Sequence, residues 1–171
     1  RRHSFPTRRS SDLARHKLDG SLLLISKYKE ELIIRTRGTQ SYVKMNNADE
    51  ISFFQKKYPR VFDVKTLKDN LTFLYEWTSP KNIIVLKEHL EPTLTLIGVI
   101  TNENAVYFSQ DSLDDIAKFL NVPRPQKTVF DSLDHCFQTV YPWIGKEGVV
   151  IYSPDGQTLK KIKAADYCDK H

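Results

Sequence analysis

Cysteine is scarce in this chain: there are two in 171 residues, Cys136 and Cys168, far apart and with no second cysteine or histidine at metal-ligand spacing. That excludes a disulfide-stapled scaffold and a structural zinc site, and leaves two free thiols, buried or at the surface. His135 beside Cys136 forms a Cys-His pair, but both fall on what reads as one short helix with no base-orienting partner, so thiol catalysis is not expected. Long apolar runs are missing too. Nothing approaches the ~20 consecutive apolar residues of a membrane span, and no apolar leader with a cleavage site opens the chain. The expectation is a cytoplasmic protein with no membrane partner. After residue 13 there is no internal repeat and no low-complexity linker.

A strong excess of one charge is also lacking once the first residues are set aside. The formal charge is +5, from 26 Lys and Arg against 21 Asp and Glu, and four of those arginines and one aspartate lie in residues 1–13. Residues His3 to Leu13 resemble one reading-frame translation of a short-read sequencing adapter. Residues 1–13 are therefore expected to be an artefactual or disordered segment that packs nowhere, and they are excluded from fold reasoning. The remainder carries +2, an ordinary mixed surface rather than a strongly cationic one. Residues 14–171 are long enough for one compact domain with a real core.

What is present is a lysine in a distinctive setting. Lys17, Asp19, Gly20 and Ser21 stand in Lys-Leu-Asp-Gly-Ser; Glu76 follows in Tyr-Glu-Trp-Thr-Ser-Pro, Glu147 in Glu-Gly-Val-Val, and Lys161 and Lys163 in Lys-Ile-Lys. A bare Lys-x-Asp-Gly is expected about 0.05 times by chance in a chain this long, which is weak alone. Four elements in this order carry more. A protonated lysine is a poor nucleophile, and neighbouring cations favour its neutral form. Lys161 and Lys163, two apart on a predicted strand, point to one face. The bland reading of that pair is an exposed basic edge that discourages aggregation; the ordered company of Lys17, Glu76 and Glu147 favours phosphate handling.

These motifs resemble the covalent nucleotidyltransferases, and within them the bacteriophage-type RNA ligase 1 family, from Lys17 to Lys163. DNA ligases and capping enzymes typically have arginine where this chain has Leu22, and the second RNA ligase family usually has His-Gly in place of Asp19-Gly20. The resemblance implies an α+β, antiparallel-sheet nucleotidyltransferase core of the ATP-grasp-like ligase kind, truncated at both ends, with residues 14–171 forming a partial adenylyltransferase domain. It implies ATP and Mg²⁺ as cofactors and RNA ends, broken tRNA among them, as partners of a monomer, phage-encoded in origin. Lys17 would take AMP as a phosphoramidate, and Lys161 and Lys163 would hold the α-phosphate. Glu76 would contact the ribose and Glu147 a water-shelled magnesium, with Gly148 allowing close backbone approach. Asp19 and Gly20 would shape the turn, Ser21 would donate to phosphate, and Arg37 falls where the family has an essential basic residue. Competing readings are a DNA ligase or capping enzyme, and a noncatalytic nucleic-acid-binding fragment using Tyr28, Tyr42 and Tyr58 among basic residues.

The coarse pattern supports that class. Leu22–Ile25 and Leu32–Ile34 read as a hairpin about Lys29-Glu30-Glu31. Asn47 caps a helix whose stripe is Ile51, Phe53, Phe54 and Tyr58, stopped by Pro59. Leu71–Trp77, Ile83–Leu86, Leu94–Ile100 and Ala105–Phe108 read as strands. Residues 111–120 and 131–141 read as helices, each opened by an acidic cap, with residues 121–127 a solvated loop. Gly148–Tyr152 and Thr158–Ala164 read as a hairpin about Ser153-Pro154-Asp155-Gly156. An inward Glu76 implies that Tyr75 and Trp77 face outward.

Overall fold

A computed structural model describes residues 14–36, 48–79, 91–128, 130–152 and 158–170. The predicted Arg37 and Tyr42, the Asn47 cap, the Ile83–Leu86 strand, the Ser153–Gly156 turn and the segment 1–13 lie outside the described residues. The fold is α+β, built on two four-stranded antiparallel sheets. One sheet has the order β6(Lys127–Thr128)-β1(Ala14–Lys17)-β7(Gly148–Tyr152)-β8(Thr158–Lys163). The other runs β3(Glu31–Thr36)-β2(Ser21–Tyr28)-β4(Leu71–Thr78)-β5(Thr93–Thr101). The chain crosses from the first sheet to the second directly after Lys17, through Leu18-Asp19-Gly20.

The second sheet is built from strands that are sequence neighbours. Lys29 and Glu30 both adopt positive φ (48° and 65°), the backbone of a two-residue turn whose twist matches the flanking strands. One face carries Leu23, Ile25, Phe73, Tyr75, Trp77, Leu94 and Leu96, all buried. Helix α1(Ala48–Lys57) covers it with Ile51 and Phe54, and Tyr58 follows the helix into the same core; α2(Gln110–Leu120) adds Leu113, Ala117 and Leu120. Burying each large side chain here contributes about 1.5–3 kcal/mol. Phe53 departs from the expected stripe and is exposed, because the buried face of the helix does not extend to every apolar position of its sequence. Glu50 is buried instead, accepting the Trp77 Nε1–H at 2.7 Å.

The second core lies on one face of the first sheet, where Ala14, Val149, Ile151 and Ile162 meet α3(Leu133–Val140) through Cys136 and Val140. A last short helix, α4(Ala165–Lys170), follows β8 directly.

Several expectations are corrected. Residues 105–108 are not a strand: Ala105 takes a left-handed φ of 52°, leaving one bridge, Ile100 to Tyr107. The caps of α2 and α3 are Ser109 and Ser132, whose hydroxyls accept from Ser112 and His135 N–H; Asp111 sits inside the first turn of α2, and Asp131 lies just before the cap of α3. Residues 121–127 are no solvated loop, since Val122 is buried, Arg124 is nearly so, and Lys127 starts β6. Tyr58 belongs to the core, whereas Tyr28 is exposed. Tyr75 and Trp77 face the apolar core rather than outward.

Candidate active site

Register places the chemistry of the first sheet in two cross-strand rows. Lys17 pairs with Gly148 and Gly148 with Lys163; Arg15 pairs with Val150 and Val150 with Lys161. Paired residues, and residues two apart on one strand, share a face. Lys17, Lys161 and Lys163 therefore lie on the same side of the sheet, while Ile162 between the last two is buried in the opposite core. Gly148 is required between the lysines. Its φ is 147°, and a Cβ there would overlap the Ile162 carbonyl oxygen. Gly20 is required for a similar reason, because a Cβ would overlap the Trp77 carbonyl oxygen where the Lys17 turn crosses the end of β4.

Lys17 forms an ion pair with Glu147, which is only 3% exposed. Beyond that ion pair the buried Glu147 Oε2 receives no hydrogen bond among the described residues. Asp19, 1% exposed, accepts the Tyr167 hydroxyl at 3.2 Å. Glu76 reaches toward the same group from the other sheet. Burial pushes its carboxyl up to about 7; the Lys17 charge opposes that rise, and Glu147 and Asp19 reinforce it. The β4 face of Glu76 thus borders a cleft between the sheets of about 220 Å³, lined by Lys17, Glu76, Lys161, Ile97, Val150 and Tyr152 among others. That resolves the Glu76 alternation: the sheet is covered by a core on one face and faces a cleft on the other.

The remaining sequence candidates sit nearby. Lys163 is exposed, its Nζ 5.7 Å from the Tyr167 ring centroid. Lys160 is exposed on the alternate side. Ser21 pairs with Trp77 rather than Glu76, which puts it on the core side of β2. The charge seated on Lys17 is the Glu147 carboxylate, and Lys161 lines the same cleft.

Two parts of the arrangement carried no sequence signal. Tyr167 stands alone in a polar segment, yet its hydroxyl meets Asp19 and Glu147 and its ring underlies Lys163. Burial first, then those two carboxylates, push the phenol up, so it remains a donor. The other part is a clip. Arg15, buried two residues before Lys17, donates to both Asp114 oxygens (3.1 and 2.9 Å) and to the Pro125 carbonyl. Arg124 donates to Asp114 at 3.0 Å and also bonds the Leu96 carbonyl and Gln110. The clip ties the Lys17 strand to α2 and β5 of the other sheet.

Among the described residues no group of three or more His, Cys, Asp or Glu could enclose a metal. Glu147 offers one carboxylate beside the cleft, and this fits a cation that keeps its waters and takes one or two carboxylates with phosphate oxygens. Cys136 is buried, its thiol pushed up to about 11 by desolvation, and Cys168 is exposed; both are free. His135 accepts the Asp131 N–H at 3.3 Å. No described helix is long and apolar enough to cross a membrane.

Comparison with known proteins bears on the family and the fold. A family model described as RNA ligase, of the phage T4 type, matches residues 7–167. A protein of Autographa californica nuclear polyhedrosis virus, whose name assigns it polynucleotide kinase and RNA ligase activities, is 27% identical over 172 aligned positions. The alignment covers 91% of this chain and 23% of that protein. Among solved structures, Naegleria gruberi RNA ligase with ATP and manganese, in a lysine-to-alanine variant, superposes with a TM-score of 0.74 at 16% identity. The match covers 98% of this chain and 55% of the other. The same enzyme with pyrophosphate gives 0.74 at 16% identity, over 96% of this chain and 53% of the other. The chain thus spans about half the length of these structures.

Proposed function

Since the chain belongs to the bacteriophage-type RNA ligase 1 family, we propose that it is the nucleotidyl-transferring core of an ATP-dependent RNA ligase, with Lys17 as its nucleophile. The observation that carries the proposal is the convergence of Lys17, Glu147 and Glu76 on one cleft, with Lys161 on the same wall.

Lys17 Nζ, as the amine, attacks the α-phosphorus of ATP; a P–N bond forms as the bond to pyrophosphate breaks. The AMP then passes to the 5′-phosphate of an RNA end, broken tRNA being one candidate, and a 3′-hydroxyl displaces AMP to seal the strand. Each step is displacement at phosphorus, so the protein's work is alignment and charge. The Lys17–Glu147 ion pair engages the head group of the lysine, and attack requires that pair to loosen. Glu147 is the residue that would hold magnesium, which supplies positive charge to the transferring phosphoryl group. Lys161 is assigned to the α-phosphate and Glu76 to the ribose, a reading supported by both lining the cleft, where Ile97 and Val150 give apolar walls. Lys163 and Arg37 are assigned to phosphate binding from their motif positions.

Incubation with labelled ATP and Mg²⁺ tests this. Lys17 acquires an acid-labile, alkali-stable AMP, and Lys17→Arg abolishes it because arginine stays protonated. Label on another residue, or surviving in Lys17→Arg, would sink the assignment; label from GTP instead would indicate a capping-type enzyme.

A further inference from the structure

Several cations around the Lys17 strand and its neighbours are matched to carboxylates: Lys17 to Glu147, Arg15 and Arg124 to Asp114, Lys57 to Glu91. Two groups beside Lys17 depart from that pattern. His16 lies half-buried, its ring 5.0 Å from the Trp143 ring, and its main-chain N–H donates to the Gln126 carbonyl. The Lys146 Nζ lies 4.8 Å from the centroid of the same indole. Neither side chain has a carboxylate partner among the described residues, and burial first, then the Lys146 charge, holds the His16 imidazole below its usual range. Both line a second cleft of about 320 Å³, with Lys17, Thr95, Gln126 and Arg124.

That cleft exists because β6 is two residues long. It pairs with Ala14 and Arg15, the His16 N–H still meets the Gln126 carbonyl, and the edge of β1 opens at Lys17. No carboxylate is among its lining residues, in contrast to the neighbouring cleft bounded by Glu76. Arg124 is the one lining cation held by Asp114. Two nitrogen groups converge on an aromatic face without an anion, at the mouth of a cleft that also contains the nucleophile. Such a site matches a phosphoryl group, with charge-assisted hydrogen bonds from the lysine and imidazole.

We propose that His16 and Lys146, seated on Trp143, form a phosphoryl-binding subsite next to Lys17, in a cleft that adjoins the one bounded by Glu76 and shares His16 and Lys17 with it. The inference deepens the ligase reading and rests on it for its two sources of ligand: the 5′-phosphate of the RNA end, or the β- and γ-phosphates of ATP. Both present the same chemistry.

Trp143 supplies the readout, because the other tryptophan, Trp77, is buried in the far core. Indole fluorescence of the whole chain is titrated with a 5′-phosphorylated oligoribonucleotide, its 5′-hydroxyl counterpart, pyrophosphate and ATP, in wild type, Lys146→Glu and His16→Gln. At least one phosphorylated probe loses about tenfold or more in affinity in the variants, the scale of one charged hydrogen bond, while any binding of the 5′-hydroxyl strand changes far less. A loss confined to the phosphorylated strand assigns the RNA end; a loss confined to pyrophosphate and ATP assigns the nucleotide tail. A wild-type chain that binds no phosphorylated probe, or variants that bind every one within twofold of wild type, overturns the subsite. Absence of Lys17 label from ATP would instead remove the ligase reading, and the pyrophosphate titration would still decide the subsite.

Discussion

Glu76 and Tyr167 show how single polar groups are held in this site at some cost. Glu76 folds with its carboxyl near 7 against an ordinary 4.5, raised first by burial. Its folded form binds the proton more tightly than its unfolded form, so it lowers stability as pH rises from about 4.5 to about 7, and the penalty is complete above that. Glu76→Gln should therefore gain stability over wild type across that window, by roughly 2–3 kcal/mol at the plateau, while weakening nucleotide binding. Urea denaturation at both ends of the window checks it, and a constant difference would refute the burial account. Tyr167→Phe keeps the ring beneath Lys163 but removes the donor to Asp19. The expected cost is about 1–2 kcal/mol, with slower Lys17 labelling at saturating ATP. Unchanged stability and labelling would mean that the hydroxyl is idle.

At the scale of elements, the clip between β1 and α2 matters most. Burial tends to raise the Asp114 carboxyl, but hydrogen bonds from Arg124 and the charge of Arg15 outweigh it and hold it below the usual carboxylate range. Its contribution is thus full at neutral pH and fades only as pH falls through that depressed value. Asp114→Ala leaves two guanidiniums without their counter-charge and should cost about 3 kcal/mol in urea denaturation, with Asp114→Asn losing less. Equal and negligible losses would show that solvent serves the arginines as well. None of this was legible in the sequence, because Arg15, Asp114 and Arg124 meet only through tertiary contacts. The strands at 71–78, 93–101 and 148–152 were legible, since their apolar alternation and their neighbours agree. Residues 105–108 were not, because the same alternation cannot report a left-handed Ala105. The side of Tyr75 and Trp77 was misread for a related reason: alternation separates two faces without saying which is core and which is cleft.

For the molecule as a whole, the two sheets are joined by the covalent turn after Lys17, by the Asp114 clip and by Tyr167, with a cleft left between them. A ligand that fills this space binds the folded state alone, so the unfolding midpoint should climb with ATP concentration, by about 2.7 kcal/mol of added stability at a hundredfold excess over its dissociation constant. Scanning calorimetry across an ATP series checks this, and a midpoint indifferent to ATP would mean that the cleft does not hold nucleotide in this chain. The ligase motifs, in contrast to the clip, were readable from residue order alone because chemistry fixes their residue types. Lys17, Glu76 and Glu147 stand far apart in the chain, yet strands of both sheets and the turn between them bring the three together.

The two thiols have a practical consequence. Cys136 is sealed in the second core with its thiol pushed up to about 11, while Cys168 lies exposed on α4. A maleimide dye would attach to Cys168 in the unaltered chain, one residue along from the tyrosine that grips the Lys17 turn. The molecule therefore comes with a single built-in attachment point for an optical reporter, through which the response of the turn and of α4 to added ATP can be read in real time.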